Sequence, residues 1–227
     1  RFEVVTMVPK GSSPETYEPT ARQMADLSES ILYIKVGELG FERTWMPRLT
    51  SNAPHITVVN SSEGITSHIG DDPHSWMSAR NAIIMAHNIY EAVKRIDVKD
   101  SVFFRQRLDS LCNVIHATDK YIRQTTAQAQ CKSFIIYHPA LTYFASDYGL
   151  EQLALEEHGR EPSAAELEQI ISTARAKGVK TMFIQREFAN RNVDIITNTI
   201  GARKVEINPL GYDWNKEMRQ IAEEMTD

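Results

Sequence analysis

No run of this 227-residue chain approaches the 18 or more consecutive apolar residues of a membrane span, although 42% of its residues are hydrophobic. That apolar content suffices for one large core or two small ones. Positive charge is not in excess either. The chain carries 25 Lys and Arg against 30 Asp and Glu, spread along its length, for a formal net charge of −5. The balance argues against a nucleic-acid partner. Cysteine is scarce: Cys112 and Cys131 are the only two. The segment between them reads as helix, which would hold them about 28 Å apart, and a disulfide needs Cα atoms within about 7 Å. The pair has no metal-ligand spacing, and its scarcity leaves the compartment open. The opening RFEVVTMV has neither the basic start nor the apolar core of a signal peptide. Also missing are G-x-x-x-x-G-K, G-x-G-x-x-G, H-E-x-x-H and G-x-S-x-G, which removes the commonest nucleotide, metalloprotease and serine-hydrolase signatures.

What is present alternates between β-rich and helical stretches. Residues 2–8 read as a strand, and 9–14 as a turn. A helix is predicted from Thr20, a suitable N-cap. Strands follow at 31–37 and 55–60 with a helix around FERTWMPRL between them, and 61–70 reads as a loop. Two helices come next, ARNAIIMAHNIYEAVKRI and a longer one from about 100 to 130. Beyond it KSFIIYH (132–138), 150–157, TMFIQ and KVEIN read as extended, separated by short helices. Among them is one opened by the capping box SAAE (163–166), with Leu167, Ile170, Ile171 and Ala174 on one face and Gly178 as its stop. This rhythm predicts an α/β fold of two lobes, each a mainly parallel sheet flanked by helices, joined by one long rigid helix. The expected division is 1–98, 99–130 and 131–227.

Ligands of open parallel sheets bind outside the carboxyl ends of the strands. Glu15 falls there, in the turn after the first predicted strand, as do His138 after KSFIIY and Asn208 after KVEI. His74 in DDPHSW opens a helix after a loop, where the proline ahead of it should keep it presented rather than buried. Two imidazoles and a carboxylate suit zinc, or manganese if more oxygens join. Each residue also has an ordinary reading: a surface histidine at a helix start, a turn histidine with one hydrogen bond, a solvated acid, an asparagine before proline. Their convergence on strand ends is what raises them. Gln185 and Glu187, at and just after the end of TMFIQ, are candidates to orient an imidazole. His55, His68, His87, His116 and His158 rank lower.

The stretches GSSPETYEPT, DPHSW, YHPALTYFASDYGLEQLALEEHGREPSAAEL, FIQREF and INPLGYDW, in that order, resemble the metal-binding subunits of ABC importers for zinc and manganese, the cluster A-I or ZnuA-like substrate-binding proteins. The resemblance implies two α/β lobes with a metal ion held between them. It assigns the second ligand to His74 and the third to His138. Relatives usually carry histidine at the position of Glu15, and an aspartate in a D-P-L-G turn at that of Asn208. Asp213 could supply the missing carboxylate if its loop folds back. The carboxylate at Glu15 makes the site harder and more tolerant of manganese, and the neutral Asn208 carbonyl weakens it. Zinc is favoured, manganese next.

The relatives' long histidine-rich loop has no counterpart here beyond His68 in SSEGITSHIG, and their export signal, first strand and first helix have none either, which predicts a longer natural protein or an incomplete first lobe. The implied setting is periplasmic, or lipid-anchored at the extracytoplasmic face. The implied partners are a divalent metal ion and the membrane permease of an ABC transporter, with the chain a monomer that binds no nucleic acid. It would be a non-catalytic carrier whose metal affinity falls with pH as protons compete for the imidazoles. Two rivals use the same residues: a metal-dependent hydrolase with Glu187 as the base for a metal-bound water, and an adhesin or interaction module with a vestigial metal site.

Overall fold

A computed structural model describes residues 2–156, 159–185 and 191–226. The chain divides into two compact units, the first made of Arg1–Ser75 and Arg80–Asn113, the second of Trp76–Ala79 and Val114–Asp227. The long helix is present as α4, Ser101–Ala127, and contributes to both units.

In the first unit the order is α1 (Ala21–Ser28), β1 (Leu32–Lys35), α2 (Gly40–Asn52), β2 (Thr57–Asn60) and α3 (Ala79–Ile96), whose first residue belongs to the second unit. Thr20 caps α1 as expected: its hydroxyl accepts the Gln23 backbone N–H at 3.3 Å while the Gln23 side chain accepts from the Thr20 N–H at 3.0 Å. β1 and β2 pair in parallel from Leu32↔Thr57 to Lys35↔Asn60. Leu27, Phe41 and Leu49 form a small core, with Met24, Tyr33, Trp45 and Met46 against it.

Residues 2–8 are not a strand. Their β-branched composition satisfies propensity, but a strand needs a ladder partner, and the sheet of this unit consists of β1 and β2 alone among the described residues. Val4 and Val5 lie exposed, and Phe2 stacks on Phe104.

The second unit runs β3 (Ser133–Ile136), α5 (Thr142–Tyr148), β4 (Glu151–Ala154), α6 (Ala164–Ala176), β5 (Thr181–Gln185), α7 (Arg191–Ile200), β6 (Arg203–Ile207) and α8 (Trp214–Glu223). All four strands are parallel, in the order β4-β3-β5-β6. Side chains alternate across this sheet with period two. Phe134, Ile136, Phe183, Val205 and Ile207 face a core completed by Ile122, Phe144, Met218 and Ile221. Ile135, Met182 and Ile184 face the opposite layer, where Ala174, Leu167, Ile170 and Ile171 of α6 and Ile196 of α7 pack. Coverage on both faces explains why these strands read as nearly continuous apolar runs. Ser163 and Glu166 make the expected capping box, and Gly178 ends the turn after α6 at φ +67°.

The strand order decides where a ligand can enter. From β3 the chain moves outward to β4, then returns to the other side of β3 for β5 and on to β6. The connections reverse direction between β3 and β5, and ligands of open parallel sheets bind at the carboxyl ends of strands at such a switch point. His138 and Gln185 stand there.

Candidate metal centre

In the first unit, the turn before α1 supplies Glu15. The Pro14 carbonyl accepts from the Phe41 N–H at 3.0 Å, and Glu15 Oε2 accepts from the Gly40 N–H at 3.2 Å. The carboxylate thus caps α2 from outside, where the N-cap residue Leu39 contributes no side-chain bond. Gly40 allows the approach: a Cβ there would stand 2.4 Å from the Glu15 carbonyl oxygen. The second carboxylate oxygen, Oε1, is buried with no hydrogen-bond partner. An unmet buried acceptor costs about 1–3 kcal/mol, which a cation would remove.

His74 is buried, at 5% exposure, where the sequence reading had it presented. The reason is Asp72. Its Oδ1 accepts the His74 backbone N–H at 2.8 Å, an Asx turn across Pro73, and the same oxygen lies 2.7 Å from His74 Nδ1. The turn folds the imidazole back onto its own loop before the 3-10 turn Ser75–Met77 begins.

His138 follows β3 in the second unit, with its side chain 14% exposed. Its Nδ1 lies 2.9 Å from Glu156 Oε2, while Glu156 Oε1 accepts the Gly159 N–H at 2.7 Å. Gln185 does not orient the ring. It grips the His138 backbone instead, its Nε2 donating to the carbonyl at 2.7 Å and its Oε1 accepting from the N–H at 3.4 Å. The orienting carboxylate follows from register: Ile136 pairs with Ala154, and continuing that pairing by two sets residue 156 opposite residue 138. Asp72 and Glu156, the carboxylates paired with the two imidazoles, are not among the residues that the sequence singles out. One sat in plain view two residues before His74, and the other needed the β3–β4 pairing.

Both imidazoles therefore share a chemistry. An ionised carboxylate only accepts, so a neutral ring paired with one would carry its proton on Nδ1 and its lone pair on Nε2. Carboxylate–histidine pairs of this kind hold metal-ligating rings in one tautomer and raise their basicity.

Asn208 lies just past β6. Its backbone N–H donates to Glu217 Oε1 at 2.6 Å, and its carbonyl accepts from the Gly211 N–H at 2.8 Å, closing a turn with Pro209 at its second position. Burial pushes the Glu217 carboxyl above its ordinary value, and the Asn208 N–H pulls it back in part. Asp213 is exposed at the N-cap of α8 and makes no side-chain cap bond. His55, His68, His87 and His116 are exposed. Glu187, the base of the hydrolase reading, and His158 lie outside the described residues. Among the described residues no three His, Cys, Asp or Glu side chains form a group that could hold a metal ion. Each unit holds one imidazole–carboxylate pair, His74 with Asp72 in the first and His138 with Glu156 in the second. Both cysteines are free, and among the described residues no helix is long and apolar enough to cross a membrane.

A family described as "Zinc-uptake complex component A periplasmic" matches residues 1–227. The high-affinity zinc uptake system protein ZnuA of Bacillus subtilis is 26% identical over 92% of this chain and 72% of its own length. The zinc-binding lipoprotein AdcA of Streptococcus pneumoniae is 24% identical over 91% of this chain, which spans only 45% of AdcA. A crystal structure of ZnuA superposes with a TM-score of 0.93 at 30% identity, covering 99% of this chain and 89% of that one.

Proposed function

Since the chain belongs to the periplasmic zinc-uptake component A family, matched along its whole length, we propose that it is an extracytoplasmic solute-binding protein that captures zinc for import. The ligands are His74 and His138 through Nε2 and Glu15 through Oε1, with Asn208 or Asp213 completing the set. The observation that carries the reading is the repeated pair, His74 on Asp72 and His138 on Glu156. One such pair is ordinary packing; two, at the positions the family resemblance assigns to ligands, are preparation for a metal.

Two imidazoles and a carboxylate are an ordinary zinc set, and the charge on Glu15 keeps manganese as the second candidate. Zinc here is cargo rather than a resident cofactor, and the chain's own groups do the binding chemistry. The ring tautomers present a lone pair, the carboxylate supplies charge, and the ion exchanges its waters for these ligands. The chain acts outside the cytoplasm, periplasmic or lipid-anchored, as a monomer that hands the ion to the permease of an ABC transporter. Relatives named for zinc uptake and zinc binding support this setting.

The test is metal content of the purified protein, followed by titration of zinc and manganese into wild type, His74→Ala and His138→Ala. Each substitution is expected to weaken zinc binding at least a hundredfold. Undiminished binding in both variants would sink the ligand assignment.

A further inference from the structure

The segment Trp76–Ala79 interrupts the first unit and belongs to the second. Met77, Ser78 and Ala79 are almost fully buried there, and Met77 joins the core beneath the sheet. Trp76 is only partly buried, yet it sits inside a chain of hydrogen bonds. Its indole Nε1–H donates to the Pro209 carbonyl at 2.9 Å, and its own carbonyl accepts from the Trp214 indole at 2.9 Å. Ser78 adds a bond from its hydroxyl to Asp147 Oδ2.

The target of the Trp76 indole is specific. Turns of types I and II differ by a flip of the central peptide, and in the turn Asn208–Pro209–Leu210–Gly211 that peptide's carbonyl belongs to Pro209. A donor held against it fixes the flip. The rest of the turn is equally tight: a Cβ on Gly211 would stand 3.0 Å from the Asn208 carbonyl and 3.4 Å from its Nδ2. Asn208 is the weakest ligand of the proposed set, a neutral amide, and a weak ligand contributes only when its geometry is set beforehand.

We infer that Trp76 is a positioning residue for the metal site: its indole N–H locks the Pro209 peptide, and through that turn it aims the Asn208 side chain, with Trp214 holding Trp76 in place. The inference rests on the proposed function and goes beyond it, because neither tryptophan is among the proposed ligands. A hydrogen-bonding partner of a metal ligand is worth about ten- to a hundredfold in affinity, and an effect relayed through a turn belongs at the lower end.

The experiment is a double-mutant cycle on zinc affinity, read by competition with a chromophoric chelator, using wild type, Trp76→Phe, Asn208→Ala and the double variant. Phenylalanine keeps the packing and deletes the donor. The expected result is about tenfold weaker zinc binding for Trp76→Phe and less than a further twofold in the Asn208→Ala background, since the indole acts through Asn208. An unchanged affinity for Trp76→Phe overturns the inference. So does a loss that multiplies with that of Asn208→Ala, which is the signature of general destabilisation. If Trp76→Phe does not fold, Trp214→Phe carries the same test, with the same pattern in support and wild-type affinity against. Wild type that binds no zinc removes the proposed function and this inference with it, whereas zinc-binding wild type with an unaffected Trp76→Phe removes the inference alone.

Discussion

Asp72 offers a sharp test of how the first imidazole is prepared. Its Oδ1 accepts the His74 backbone N–H at 2.8 Å and meets Nδ1 at 2.7 Å, with the two side chains only 14% and 6% exposed. Asp72→Asn keeps an oxygen able to accept both protons but removes the charge. Zinc affinity should fall about tenfold, or about 1.4 kcal/mol. Asp72→Ala removes both bonds, so the ring loses its orientation and the buried N–H loses its partner. The expected cost is about a hundredfold in zinc affinity, about 2.7 kcal/mol. Apart from the metal, the orphaned N–H should lower folding stability by about 1–3 kcal/mol. Chelator competition reads the first quantity, and urea unfolding in excess EDTA reads the second. If Asp72→Ala unfolds more easily in EDTA yet binds zinc as wild type does, the carboxylate serves the turn and not the ligand, and the paired-imidazole reasoning fails.

Gly40→Ala should destabilise the first unit by about 1–3 kcal/mol, because the new Cβ meets the Glu15 carbonyl at 2.4 Å and Oε2 at 2.9 Å; urea unfolding should show it, with weaker zinc binding as Glu15 is displaced. The Glu166 carboxyl is lowered from 4.5 to about 2, first by Arg160 and then by the Ser163 N–H. A lowered carboxyl contributes stability that is present above about 4.5 and lost as pH falls towards about 2. Glu166→Gln should therefore flatten that part of the acid limb of stability against pH, and an acid limb identical to wild type would refute it.

The second unit was the more legible in the sequence, because its strands are buried on both faces and read as nearly continuous apolar runs, a signal that is local and redundant. Residues 2–8 misled for the complementary reason: strand composition is local, but the ladder partner that makes a strand is not. The site followed the same rule. His74, His138 and Asn208 stand out in the sequence by their places at element ends, and the Glu15 oxygen without a partner gives that proposed ligand a reason beyond a solvated turn. The burial of His74 was hidden because one side chain, Asp72, turns the loop back on itself. Glu156 was hidden because it reaches His138 across a strand pairing rather than along the chain.

The Trp76–Ala79 insertion also bears on how the protein is made. The polypeptide passes from one unit to the other at Ser75, at Ala79 and again at Asn113, so no single cut yields either unit entire. During synthesis the first unit's residues emerge before Phe134, Phe183 and Ile207 exist to receive Met77. The core that buries it is complete only when Phe183 and Ile207, more than 100 residues downstream, have been made, and such non-local contacts slow folding. Until then Met77 and its neighbours stay exposed in a chain whose amino-terminal half is otherwise able to begin folding, and that interval is when aggregation competes most strongly.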